Sequence, residues 1–195
     1  MKRLLTLLLV IGLAVPVLAQ DGGEERRPVR IDRNHSTLGF RIPIIYGLGT
    51  ITGKFTDWSV ELYWDADDLE NSTVTVEIQA TSVDTGIENR DADIRSERIF
   101  NVESHPTITF ESSSISGGPA EFEVAGTFTL LGVSKEVTLN LAVNTYADPA
   151  DGYVWTAFRV YHKLDRTDYG MTWKHGSVDF FVGDEIETDI VLITR

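Results

Sequence analysis

Residues 72–80, STVTVEIQA, alternate with almost no slip: Val74, Val76, Ile78 and Ala80 point one way, Thr73, Thr75, Glu77 and Gln79 the other. Side chains on a strand face opposite sides in turn, so a period of two over this length defines a strand with one buried face. The same alternation returns in TLGFRIPII (37–45), ITGKFTDWSVELYW (51–64), TITFES (107–112), EFEVAGTFTLL (121–131), EVTLNLAVNTY (136–146) and VWTAFRVYHKL (154–164), and the chain ends on the strand-like IETDIVLITR. That makes about eight strands. Turn-forming clusters separate them at 67–71, 116–119, 131–134 and 148–152. Long strands in hairpin succession form an up-and-down meander, and closing such a sheet removes its two unpaired edges. The expected fold is all-β: an eight-stranded antiparallel barrel.

A barrel of eight strands has an interior that side chains can fill or that one small ligand can occupy. The chain has nine Phe, six Tyr and four Trp. Phe40, Phe55, Phe110, Phe128 and Phe158 all fall inside alternating runs. Periodicity alone favours a filled interior over a cavity.

Composition narrows the partners. The formal net charge of −13 repels phosphate backbones, so no nucleic-acid partner is expected, and anionic membranes are disfavoured. There is no cysteine, which excludes thiol catalysis, cysteine-based metal sites and disulfides. The N-terminus reads as an export signal: basic Lys2-Arg3, an apolar run at 4–15, then Pro16 and a cleavage site after Ala19. The run is short for a bilayer span, so no stable membrane insertion is expected. Residues 1–19 are thus expected to be a cleaved signal peptide, 20–30 a flexible leader and 31–195 a single exported domain.

One stretch breaks the alternation. TGIENRDADIRSERIF, residues 85–100, carries Arg90, Arg95 and Arg98 among acids. Asn89 or Asp91 can cap a helix start, and Ile94, Ile99 and Phe100 supply an apolar side. The reading is a short helical crossover between the third and fourth strands. It serves either as a plug braced by Arg–Asp pairs or as a lid over a ligand.

Other motifs carry less. GLGTITGKF (47–55) lacks the spacing of a phosphate loop and reads as a glycine-rich turn between strands. Asp165 and Asp168 flank Arg166 and read as a turn with an ion pair. His35, His105, His162 and His175 show no metal-ligand spacing, although a metal- or histidine-dependent enzyme using them is the rival function. A solid-core interaction module is the third.

The segment TGIENRDADIRSERIFNVESHPTITFES resembles the central signature of the YceI-like family, periplasmic polyisoprenoid-binding proteins. The match runs through Arg90, Asp91, Ile94, Arg95, Ser96, Phe100, Pro106, Ile108, Phe110 and Ser112. IDRNHSTLGFRI, GTFTLLGVSKEVTL and LDRTDYGMTW resemble further family motifs in the family's order. Asp93 departs from the pattern, standing where members often carry histidine. The resemblance implies a lipocalin-like barrel with an elongated apolar tunnel, and so reverses the expectation of a filled interior. It implies a non-catalytic carrier of a long-chain isoprenoid or fatty amphiphile. No cofactor is expected beyond a bound isoprenoid lipid or a quinone-like molecule, and a homodimer is compatible with it. The tunnel liners would be Phe40, Ile42, Phe55, Val76, Ile78, Ile94, Phe100, Phe110, Phe128, Leu139, Leu141 and Phe158. Arg90, Asp91 and Arg95 would meet the head group or hold the lid.

Overall fold

The computed structural model describes residues 27–176 and 181–194; the expected signal peptide and most of the leader lie outside them. The strands are β1 (Thr37–Ile44), β2 (Gly49–Phe55), β3 (Trp58–Tyr63), β4 (Thr73–Gln79), β5 (Val83–Asp84), β6 (Thr107–Gly117), β7 (Glu121–Leu130), β8 (Val133–Ala147), β9 (Val154–Tyr161), β10 (Lys163–Asp165) and β11 (Glu185–Thr194). The α-helix α1 (Glu88–Arg95) lies between β5 and β6.

These eleven segments form eight long strands, because three pairs are single strands with a bend. β2 runs into β3 through 56–57, and β4 into β5 through 80–82. Backbone bonds from Thr56 to Ser82 (3.1 Å) and from Gln79 to Asp57 (3.0 Å) carry the pairing across both bends. β9 continues into β10 past His162, whose carbonyl accepts from Thr188 on β11 (2.9 Å). All pairings are antiparallel, and the order β3-β4-β6-β7-β8-β9-β11-β1-β2-β5 begins and ends on two continuations of one hairpin. The sheet therefore closes on itself as an up-and-down barrel, and the crossover joins the third and fourth long strands as expected.

Closure needs curvature, and glycines allow it where aromatic rings cross a neighbouring strand. Phe40 pairs with Gly53 and Phe110 lies against Gly126; a Cβ at either glycine would collide with the ring. A register shift between Ser112 and Ser114 bends β6 further.

The chain direction sorts the connections between two ends. The β1–β2 tip, α1, the β7–β8 turn and residues 166–176 and 181–184 occupy one end, here the upper. Residues 64–72, 118–120 and 148–153 occupy the lower. The β7–β8 turn has two residues, Leu131 and Gly132, both in the left-handed region (φ 52° and 74°), as a type I′ hairpin requires. At the lower end Val29 donates to the Leu62 carbonyl (2.7 Å) and Ile31 bridges Thr194, so the chain is tied to the barrel from within the expected leader.

Candidate functional site

The barrel is not filled. Two cavities lie along its axis, of about 600 Å³ in the upper half and about 130 Å³ in the lower. Leu38, Ile78, Ile108, Phe128, Leu164, Thr188 and Ile190 line both, so the two meet at a common wall near mid-barrel.

The twelve predicted liners divide along this axis. Phe40, Ile42, Phe55, Ile94 and Phe100 line the upper cavity. Val76, Phe110, Leu139, Leu141 and Phe158 line the lower, and Ile78 and Phe128 stand where they meet. The alternation explains why: each sits on the inward parity of its strand, apart from Ile94 and Phe100, which the crossover delivers. Phe55 stacks on Phe100 (6.2 Å between centroids), so the crossover packs directly on the β2 wall.

The polar groups are unevenly shared. Among the described residues the lower cavity has no Asp, Glu, Lys or Arg in its wall. Its one titratable group, His162, is held below the ordinary imidazole value by burial, opposed by a hydrogen bond to the Thr138 backbone, and is neutral at pH 7. The upper cavity adds Asn89, Arg90, Asp93, Arg166 and His175. A chain with an apolar tail and a polar head fits this polarity in one direction, with the head uppermost.

Of the three predicted head-group residues, the geometry separates the roles. Arg90 lines the upper cavity but is anchored: Nε donates to Thr85 Oγ1 (2.7 Å) and Nη2 to the Thr85 carbonyl (2.8 Å). Asp91 is buried and absent from the cavity wall. It accepts from the Thr85 amide (2.9 Å) and from Thr85 Oγ1 (2.5 Å). The two residues therefore meet through Thr85 rather than in a direct ion pair. Arg95 is not part of the cavity wall and bonds Glu88 (3.2 Å) and the Val83 carbonyl (3.4 Å). The expected side-chain cap is also replaced. Ile87 precedes the helix with no side-chain bond, and Asp91 reaches back to the strand instead. Asp91, offered by the sequence as a cap, is the buried residue of α1, because a satisfied carboxylate beside the strand end fixes the crossover. Asp91→Ala is expected to lower stability by about 2 kcal/mol through the two unmet Thr85 donors, while Arg95→Ala stays within about 0.5 kcal/mol. Thermal unfolding of the two variants beside the parent checks this ranking.

Residues 166–176 and 181–184 supply the wall that periodicity did not reveal. Met171, Trp173, His175, Phe181 and Val182 all line the upper cavity. Arg166, read only as a neighbour of two acids, is buried and lies at the cavity wall. It donates to the carbonyls of Gly183 (2.9 Å) and Met171 and to Asp184 (2.7 Å). The expected turn is present, but Arg166 forms its ion pair with Asp184 and with neither flanking acid: Asp165 accepts from the Thr167 amide (2.8 Å), and Asp168 meets Lys135 (3.1 Å). The two upper segments touch where Arg98, bonded to Asp93 (2.6 Å), lies over Trp173 (5.7 Å).

The histidines stand apart: His35 on Asp32, His105 beside Gly132, His162 at the lower cavity and His175 stacked on Phe181 at the upper. Among the described residues no group of three His, Asp or Glu side chains is placed to hold a metal ion.

A closed antiparallel barrel around an apolar, two-chambered interior places the chain in the lipocalin-like class of barrels. Residues 30–193 match the YceI-like domain, and the chain belongs to that family. A UPF0312 protein of Serratia proteamaculans is 32% identical over 167 residues, covering 84% of this chain and 86% of that protein. The crystal structure of Burkholderia cenocepacia BcnA superposes with a TM-score of 0.75 at 19% identity, covering 85% of this chain and all of that one. A polyisoprenoid-binding domain from Saccharophagus degradans, implicated in plant cell wall breakdown, superposes with a TM-score of 0.58 at 16% identity over 85% of this chain and 96% of that domain.

Proposed function

We propose that this chain is an exported, non-catalytic binding protein that carries a polyisoprenoid or a similar long-chain amphiphile in the periplasm. The observation that carries the reading is the pair of cavities meeting at a common, largely apolar wall, with charged side chains among the described residues only toward the upper end. A tail laid along both chambers gains about 0.8 kcal/mol per buried CH₂, so affinity grows with chain length and few polar contacts are needed. The likeness to a polyisoprenoid-binding domain and the export signal read at residues 1–19 support the same conclusion.

The test is to purify the protein from its own periplasm, extract it with organic solvent and identify what is released by mass spectrometry. A single long-chain class at near one molecule per protein is the expected result. Protein recovered empty from native periplasm would sink the carrier reading.

A further inference from the structure

Resting on that binding function, we infer that the β1–β2 tip is a membrane-contact surface, through which a lipid passes between a neutral, zwitterionic bilayer and the upper cavity. Residues 42–53, IPIIYGLGTITG, hold no charged side chain in a chain of which 24% is charged. Charges resume at Arg41 and Lys54, where the strands lie opposite Glu187 and Asp84. At the tip Ile45 is 40% exposed, Tyr46 66% and Leu48 86%. A chain this acidic has polar residues to spend on a turn, and a large apolar group held in water marks a contact surface.

The backbone supports the same conclusion. Ile45 and Tyr46 both adopt left-handed φ (52° and 55°), a region that favours glycine or asparagine and is a marked outlier for a β-branched residue. The tip is nevertheless held: Ile45 donates to the Phe181 carbonyl (2.7 Å), Gly183 to Pro43 (2.8 Å), and Ile44 bridges Val182. Side chains kept outward at a conformational cost point to a role outside the barrel.

Continuity with the cavity selects the occupant. Ile44, Ile51, Phe181 and Val182, which flank the tip, line the upper cavity, and Ile87 lines it while remaining 52% exposed. Apolar surface thus runs unbroken from the tip to the interior, as a path for a tail that must avoid water. Tyrosine beside aliphatic groups suits the headgroup boundary, and the lack of net positive charge selects a zwitterionic over an anionic surface. The exposed Tyr146, Tyr153 and Val154 at the lower end lack this character, since Asp148 and Asp151 stand among them.

The experiment compares the parent with Tyr46→Asn/Leu48→Ser, which alters neither cavity wall and puts asparagine where φ is left-handed. Flotation with phosphatidylcholine–phosphatidylethanolamine vesicles should retain the parent and lose the variant. Transfer of a fluorescent polyprenol from those vesicles should slow at least tenfold in the variant, with its equilibrium affinity for detergent-dispersed polyprenol unchanged. Equal flotation and equal transfer rates would overturn the inference and leave the binding function standing. Binding of polyprenol by neither protein would overturn the binding function, and flotation would then decide the surface alone. A concentration-dependent dimer of the parent that the variant abolishes, without vesicle binding, would assign the tip to a second copy and overturn the membrane contact.

Discussion

Ile190→Trp is expected to separate long ligands from short ones. Ile190 lies on β11 between Leu38 and Val160 and lines both cavities. It is only half-buried despite facing inward, because its side chain borders open interior. A tail laid along both chambers would have to pass Ile190, and an indole there blocks that passage, leaving the upper cavity available and the lower one sealed. A tail denied about five carbons of burial loses about 4 kcal/mol, or roughly a thousandfold in affinity. An isoprenoid short enough to end in the upper chamber loses little. Displacement of a fluorescent lipid by alcohols of increasing chain length reads both effects in one series. Ile78→Trp places the same bulk on the opposite side of the passage from β4, and it guards against a local packing fault at Ile190. Equal losses at every chain length in both variants, or no loss at all, would show that the ligand does not cross the passage.

That passage was legible only in part from the alternating runs. Parity alone puts Val76 and Ile78 on one face of their strand and Leu139 and Leu141 on one face of theirs, since a slip of one residue would turn every one of them over, and it leaves Phe158 to the register. Parity alone does not reveal the bends: 51–64 reads as one strand although its apolar positions shift from 51 and 55 to 58, 60 and 62 across 56–57, where the strand turns, and the run 72–80 ends where the second bend begins. Nor can it say whether an inward face meets side chains or empty space; that depends on strand tilt and curvature, set by close approaches such as Phe40 over Gly53. The resemblance to a lipid-binding family supplied the cavity where periodicity favoured a filled core. The crossover was visible as a loss of alternation, but a charge in such a stretch reads as exposed. Asp91 is buried because Thr85, six residues earlier, offers it two donors, a match no local pattern signals. The upper wall was least legible. Met171 and Trp173 are two residues apart, too short a stretch for alternation to define a strand, and their positions and that of Phe181 depend on a long-range polar anchor.

That anchor is Arg166, and Arg166→Met is expected to be the most damaging single substitution at the upper end. The guanidinium, 3% exposed, joins three points of one connection: the Met171 carbonyl, the Gly183 carbonyl and Asp184. Methionine keeps most of the apolar stem and removes every donor. Two carbonyls then lose a charged partner, whereas Asp184, 45% exposed at its side chain, can turn to water. Losing hydrogen bonds to a buried charged donor costs about 3 kcal/mol, which for a chain of this size lowers Tm by roughly 6–12 °C. Arg166→Lys should recover only part of this, because an ammonium on a flexible stem cannot span three acceptors in the planar fork that arginine presents. The effect should reach the cavity as well. Gly183 also donates to Pro43, so the segment that Arg166 holds braces the β1–β2 tip. Ligand release should accelerate in Arg166→Met even at temperatures where the variant remains folded, while a distant variant of equal instability leaves it unchanged. If thermal unfolding of Arg166→Met lay within about 1 kcal/mol of the parent, the segment would have to be held by its apolar contacts alone.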